Sequence, residues 1–448
     1  MNIIDQERQR TKEKILDAAL HPIRLLLPTA LLERWCREAD HDWRERVFGP
    51  VVTVLACVWK HLQSQVASAR EVEDAVAIWS REGDAHPRDG SDFCQGRKRV
   101  PLSVFQRALE HVGGLASQVA GLVFKGRRVG LLDGSTLRTA NTQALEEHFG
   151  RSRNATRASR SPLVRLLLLV CAGSGAVLNV ATGVYADSEQ VLFIQLLAQI
   201  QAGALLVADR AFGSFLLCCL VLKRGSHLLA RVRAERSGKR IRSLGYRDKL
   251  VVWTRPKPAH SAWPILLAQC PETLVVRVLE RSIRRQGYKT WTLTIVTTLT
   301  DAELYPAEEL VALYLRRWEI ETVLRTLKAH YQMARLAGKT PDVVEKEIRS
   351  AVLAYNCVTG LMAQSRAAPR LLSPVRVRGI VLQYSGYMAF LPTVRLLAFF
   401  REMLQLIGSA FQLPQARGPE PRAVIQRPGT FPVLMMSRRD WKRAYRAA

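Results

Sequence analysis

Three carboxylates in the chain have surroundings suited to metal-dependent chemistry. Asp133 lies in LLDGS, two residues past Leu131 on the same face of an expected strand. Asp209 closes the apolar run LLVAD, at the carboxyl end of an expected buried strand. Ligands of open α/β sheets collect at that end. A carboxylate so placed needs a partner, and a divalent cation is a natural one, although a turn-former or helix cap uses the same residue. Glu321 lies in a long helix expected from about Pro306 to Met333, with its proline in the first turn. At about 100° per residue, Tyr314, Arg317, Glu321 and Lys328 share an arc of about 60°. Leu313, Ile320, Val323, Leu324 and Leu327 form a separate apolar face. A stripe of phenol, guanidinium, carboxylate and ammonium suits a phosphate backbone held beside a metal ligand. A solvated charged face with i,i+4 pairing has the same spacing.

The spacing Tyr-x2-Arg-x3-Glu-x6-Lys, here YLRRWEIETVLRTLK from Tyr314 to Lys328, resembles the Tyr-Arg-Glu-Lys (YREK) signature of bacterial insertion-sequence DDE transposases. LLDGST is similar to that family's first-Asp motif, and VADRAFGSF to its second. TTLTD resembles its approach to the Glu. SDFCQGRKRVP resembles its N-terminal segment, with Gly96 where the family more often has Ala. The resemblance covers most of the chain and is weakest at the extreme N-terminus and after about residue 340. It implies an RNase H-like core, a β insertion before the Glu, a homodimer on paired transposon ends, and Mg²⁺ with Mn²⁺ able to substitute. Asp133, Asp209 and Glu321 would be the catalytic metal ligands. Asp133 would be shared by two ions that activate the attacking oxygen and stabilise the leaving one. Tyr314, Arg317 and Lys328 would hold phosphates near the cut; Arg210 would do the same or make a structural ion pair. Some relatives form a DNA hairpin and stack a flipped base on a Trp in the strand before the Glu helix. Trp291 stands in that strand, either for this use or as a sheet aromatic.

The elements that must hold these residues follow from periodicity. Residues 1–120 read as helical and DNA-binding, with apolar repeats in Ile23–Trp35, Val47–Leu62, Val72–Trp79 and Ser103–Val119, and a turn-rich break at Asp84–Asp92. Residues 121–232 read as the first part of the core. Strand Arg128–Leu137 is followed by a hairpin of Leu163–Ala172 and Ala176–Tyr185 around Gly173-Ser174-Gly175. Then come helix Ser188–Ile200, strand Ala204–Asp209, helix Ser214–Lys223 and strand His227–Val232. Residues 233–290 read as a basic β insertion, and 291–340 as the rest of the core, with strand Trp291–Leu299 and the Glu321 helix. Residues 341–448 read as a helical region for dimerisation or DNA contact that ends in a basic tail. The fold class is α/β: an RNase H-like core with a β-rich insertion, flanked by helical domains.

Charge narrows the partners. Sixty-six Lys and Arg against 39 Asp and Glu give a formal net charge of +27 over 448 residues. Such an excess repels itself and is tolerated for a polyanion, most commonly nucleic acid. Clusters at Arg151–Arg165, Arg231–Lys257 and Arg417–Arg446 suit a DNA backbone. The apolar runs Leu166–Ala172 and Phe215–Leu222 fall short of the roughly 20 residues a bilayer needs. The charged start MNIIDQERQRTKEKIL has no secretory apolar core, so a cytoplasmic, nucleoid-associated protein is expected. Eight cysteines with no Cys-x-x-Cys pair read as reduced, mostly buried residues. The substrate expected is double-stranded DNA, at terminal inverted repeats and at the target. Three other readings have different signatures. They are an inactive or domesticated transposase-derived DNA binder, an RNase H-fold nuclease that cuts without joining, and an architectural binder, which would explain the charge but not the carboxylates.

Overall fold

Capping side chains set where the core helices begin. Ser188 Oγ accepts the Val191 N–H at 3.4 Å and Ser214 Oγ accepts the Leu217 N–H at 3.3 Å. Each satisfies a first-turn donor that has no intrahelical acceptor. The computed structural model describes residues 20–44, 46–80, 89–154, 157–232, 238–257, 263–284, 290–334, 336–412 and 436–447. Up to residue 199 these form α1 (His21–Arg24), α2 (Thr29–Arg37), α3 (Pro50–Leu62), α4 (Ala69–Ser80), α5 (Ser91–Arg99) and α6 (Leu102–Ala120). There follow β1 (Val123–Phe124), β2 (Arg127–Arg138), α7 (Gln143–Phe149), β3 (Arg153–Asn154), β4 (Arg157–Ala158), β5 (Leu163–Cys171), β6 (Val177–Gly183) and α8 (Glu189–Leu196). From residue 200 to 317 come β7 (Leu205–Ala208), α9 (Phe215–Lys223), β8 (His227–Arg231), β9 (Lys239–Gly245), β10 (Asp248–Thr254), α10 (Pro264–Ala268), β11 (Thr273–Ile283), β12 (Trp291–Thr297) and α11 (Ala307–Leu315). The chain continues through α12 (Trp318–His330), α13 (Pro341–Gln364), α14 (Pro374–Met388), α15 (Thr393–Gly408) and α16 (Arg438–Ala447).

Two compact units result. The first joins Met1–Gln199 to Trp318–Phe411, and the second joins Ile200–Arg317 to Gln412–Ala448. In the first, β2 pairs antiparallel with β5 and β5 with β6; Asp133 stands opposite Leu168. Helix α13 is buried on nearly every side, so its polar groups need internal partners. Asn356 supplies three hydrogen bonds: Nδ2 donates to Leu109 O and Val177 O, and Oδ1 accepts the Val177 N–H at 2.8 Å. These tie α13 to α6 and to the start of β6. Glu347 accepts from Lys60 Nζ at 3.2 Å and from the Ala337 and Gly338 N–H groups. Gln332 Nε2 donates to the carbonyls of Lys60, Gln63 and Gln65, and His61 Nδ1 meets Tyr331 O at 3.0 Å. The C-terminal end of α12 is thereby pinned to α3.

In the second unit β7 pairs parallel with β8, β8 antiparallel with β12, and β12 with β11, followed by β10 and β9. Bidentate contacts of Arg277 with Asp248, both buried, and the Arg277 bond to Tyr305 O anchor the loop that leads into α11. The element order, with β2, β5 and β6 followed by α8, β7, α9 and β8, is that of an RNase H-like α/β core. The insertion strands add to β12.

Four expectations need correction. The helix expected over Ile23–Trp35 is two, because Pro28 cannot continue α1 and instead precedes α2. The basic stretch after residue 93 is itself helical, as α5. Gly96 is accommodated by close packing: a Cβ there would come within 2.9 Å of Phe48 Cβ and 2.8 Å of Thr53 Oγ1. Helix α8 stops at Leu196 and gives way to a 3₁₀ turn, Leu197–Gln199, before Ile200. The long Glu321 helix is interrupted at Arg316 and Arg317. Their N–H groups bond to Leu313 O and Tyr314 O, three residues back, which tightens the turn and ends the α-helical register. One helical wheel therefore cannot place Tyr314 and Arg317 with Glu321 and Lys328.

All eight cysteines are free, and all but Cys94 are buried. Among the described residues no helix is long and apolar enough to cross a membrane. Most of the turn-rich break at Asp84–Asp92 and the tail between residues 413 and 435 lie outside the described residues.

Candidate active site

In the first unit, Asp133 and Glu321 line one open cleft of about 530 Å³, together with Gly134, Arg325 and Lys328. Strand β2 presents Asp133, and the first turn of α12 presents Glu321. Ser135 follows Asp133 by two residues, so it projects from the same strand face. Its hydroxyl accepts a hydrogen bond from Lys328 Nζ at 2.6 Å. Lys328 is half-buried, and burial holds its pKa below the ordinary 10.5. Gly134, between the two, faces the opposite way, where Glu189 packs directly against it. A Cβ at Gly134 would lie 2.9 Å from Glu189 Cγ, nearer still to its carboxyl group.

In the second unit, Asp209 follows the fully buried β7 and precedes a 3₁₀ turn, Arg210–Phe212. Arg210 is exposed. Tyr314 and Arg317 are buried, at 4% and 7% exposure, which removes the expectation that they stand on a solvent-facing stripe. Burial pushes the Tyr314 phenol up to about 12; the nearby Asp209 carboxylate adds to the rise, and Arg317 and Arg231 oppose it. A phenol with that pKa stays protonated at neutral pH. Trp291 begins β12, half-buried, with the Arg231 guanidinium 5.4 Å from its ring centroid.

Sequence reasoning passed over Ser135, Arg325 and Arg231 as individual site residues. Ser135 was within reach through its two-residue offset from Asp133. Arg325 had the signal of lying one turn beyond Glu321. The long-range ring contact of Arg231 left no local signal. Of the basic clusters, Arg151 is engaged with Glu146, Asn141 and two backbone carbonyls, and Arg165 bonds Tyr185 O and packs on its ring. Lys239, Arg240 and Arg242 are exposed along the edge strand β9.

Among the described residues no group of three or more His, Cys, Asp or Glu is gathered to hold a metal ion. The donors nevertheless fit one. Mg²⁺ keeps several waters and is usually held by one or two carboxylates plus substrate phosphates, not by a closed protein cage. Two carboxylates on an open cleft offer that arrangement.

Comparison with known proteins defines the class. The family described as "Transposase DDE domain" matches residues 124–357, and the chain belongs to that family. It is a DDE transposase, and such a domain implies dependence on a divalent metal ion and DNA as substrate. The transposase InsG for insertion sequence element IS4 of Escherichia coli (strain K12) is 28% identical over 311 residues, covering 67% of this chain and 68% of that protein. The putative transposase InsZ of the same organism is 32% identical over 90 residues, 20% of this chain and 30% of that protein. A solved piggyBac transposase synaptic complex with hairpin DNA aligns over 90% of this chain and 87% of that chain. The two share 11% identity at a TM-score of 0.41.

Proposed function

We propose that this protein is the transposase of an insertion sequence, which excises the element and joins it to target DNA at terminal inverted repeats. The observation that carries the reading is the cleft where Asp133, Glu321 and Lys328 meet. Asp133, Asp209 and Glu321 are the metal-holding carboxylates, for Mg²⁺ or, in its place, Mn²⁺. Bound divalent ions supply activation of the attacking oxygen and stabilisation of the leaving one in an in-line displacement. The chain's own side chains do the rest. Lys328, steadied by Ser135, offers a cation to the scissile phosphate or its neighbour, and Arg210 offers another. Tyr314 positions Arg317 beside Asp209. Trp291, beside Arg231, is the aromatic on which a displaced base would stack. No side chain serves as covalent nucleophile: water attacks first, then the freed 3′-OH.

Residues 1–120 bind DNA; 121–232 and 291–340 form the catalytic core around a basic insertion, 233–290; 341–448 serve dimerisation or DNA contact. The working form is a homodimer on paired ends, in the cytoplasm and on the nucleoid.

The test uses a linear duplex carrying the DNA that flanks the gene, with a supercoiled target plasmid and Mg²⁺. Cleavage at the element ends followed by joining to the plasmid is expected. End cleavage with no joined product would favour a nuclease, and binding with no metal-dependent cleavage would favour an inactive DNA-binding descendant.

A further inference from the structure

A second cationic hollow, of about 190 Å³, lies in the first unit and shares no lining residue with the Asp133 cleft. The segment between α2 and α3 meets the end of α5 there. Arg44, Arg46 and Arg99 line it, and all three are exposed. Among the described residues, none of the three guanidinium groups makes an ion pair or hydrogen bond. The rings of His41 and Trp43, stacked 6.2 Å apart at 23°, form one wall, and Asp42 is the acidic residue among the described lining. His41 sits below its ordinary pKa of 6.5, chiefly through burial; Asp42 pulls it up, while Lys346 and Arg99 push it further down.

Three guanidinium groups lining one hollow repel one another and cost stability unless an anion arrives. By contrast, Arg107 and Arg37 of the same unit are paired with Glu38 and Glu33. The choice of Arg over Lys also matters, because a planar fork takes two oxygens of one phosphate. Gly96 lines the same hollow, where α5 packs closely on Phe48 and Thr53.

We infer that this hollow grips the sugar–phosphate backbone of duplex DNA, with Arg44, Arg46 and Arg99 on phosphate oxygens. The inference rests on the proposed transposase activity and adds a site for end binding that is separate from the chemistry. Backbone contacts carry affinity but no sequence information. Loss of the site therefore weakens all duplexes alike.

The experiment compares full-length protein with the triple variant Arg44→Ala, Arg46→Ala, Arg99→Ala. The probes are a labelled duplex from the gene's flanking DNA and an unrelated duplex of equal length, titrated over a range of salt. A control triple, Lys125→Ala, Lys223→Ala, Arg224→Ala, removes the same charge from exposed positions that have no assigned part in DNA binding. In the site variant the Kd should rise for both duplexes in similar proportion, and the salt slope should fall by about 1 for each phosphate no longer neutralised. The control should keep the wild-type slope. A site variant with wild-type Kd and slope, or a control that weakens as much, overturns the inference while leaving the proposed activity intact. Wild-type protein that binds neither duplex overturns both.

Discussion

Lys328 Nζ donates to Ser135 Oγ at 2.6 Å, so the cation carried by α12 is held on the strand that presents Asp133. Lys328→Ala should slow single-turnover cleavage on the order of a hundredfold, the usual cost of one charged donor at a reacting centre. Ser135→Ala removes a neutral partner and should cost less, about 1 kcal/mol. Burial lowers the Lys328 pKa, so its ammonium is lost at lower pH than in free lysine. Cleavage should therefore decline on the alkaline side before pH 10.5. Lys328→Arg, charged throughout, should lack that decline. Normal cleavage by Lys328→Ala would show that this cation only fills space beside Ser135.

Tyr314→Phe should leave strand cleavage within about tenfold of wild type, since it removes one hydrogen bond to Arg317 worth about 1 kcal/mol. Its phenol is protonated at neutral pH, with a pKa near 12. Denaturing gels of the stalled reaction should contain no protein–DNA adduct. An adduct abolished by Tyr314→Phe would replace the water-first route with a covalent one.

His61 makes stability depend on pH. Burial lowers its pKa from the ordinary 6.5 to about 4, with the Lys60 charge adding to the effect and Glu347 opposing it. The unfolded chain takes up a proton below about 6.5, whereas the folded one resists until about 4. The His61 contribution is therefore complete above 6.5 and is lost as pH falls towards 4, in total on the order of 3 kcal/mol. Thermal midpoints should drop across that window, and His61→Gln should flatten the drop. A profile identical in wild type and variant would mean that other groups set the acid limit.

Much of the scaffold was legible because local rules and tertiary packing agreed. Ser188 and Ser214 cap the helices they precede, and the apolar runs around Leu167 and Val207 became β5 and β7. The break at Arg316–Arg317 was not legible. No Gly or Pro marks it, and apolar spacing runs straight through, because a tightened turn shifts the register without changing residue types. For the same reason the stripe from Tyr314 to Lys328 looked continuous. Helix α5 was hidden by Gly96, a poor helix former whose place is set by Phe48 and Thr53 from a distant segment. The ten-residue helix α16 was masked by the charge of its tail. Within the site, the motif residues could be read singly. The Lys328–Ser135 contact joins positions 193 apart in sequence and needed the fold.

The central claim is that Asp133, Asp209 and Glu321 serve the chemistry and not the grip on DNA. The most direct test measures strand cleavage in Mg²⁺ by Asp133→Ala, Asp209→Ala and Glu321→Ala, each already bound to duplex from the gene's flanking DNA. Binding near wild type is expected, since phosphate contacts supply most affinity, with no detectable cleavage by any of the three. A variant that still cuts at about a tenth of the wild-type rate has forfeited only about 1.4 kcal/mol of barrier lowering, and its carboxylate would not be a metal-holding residue.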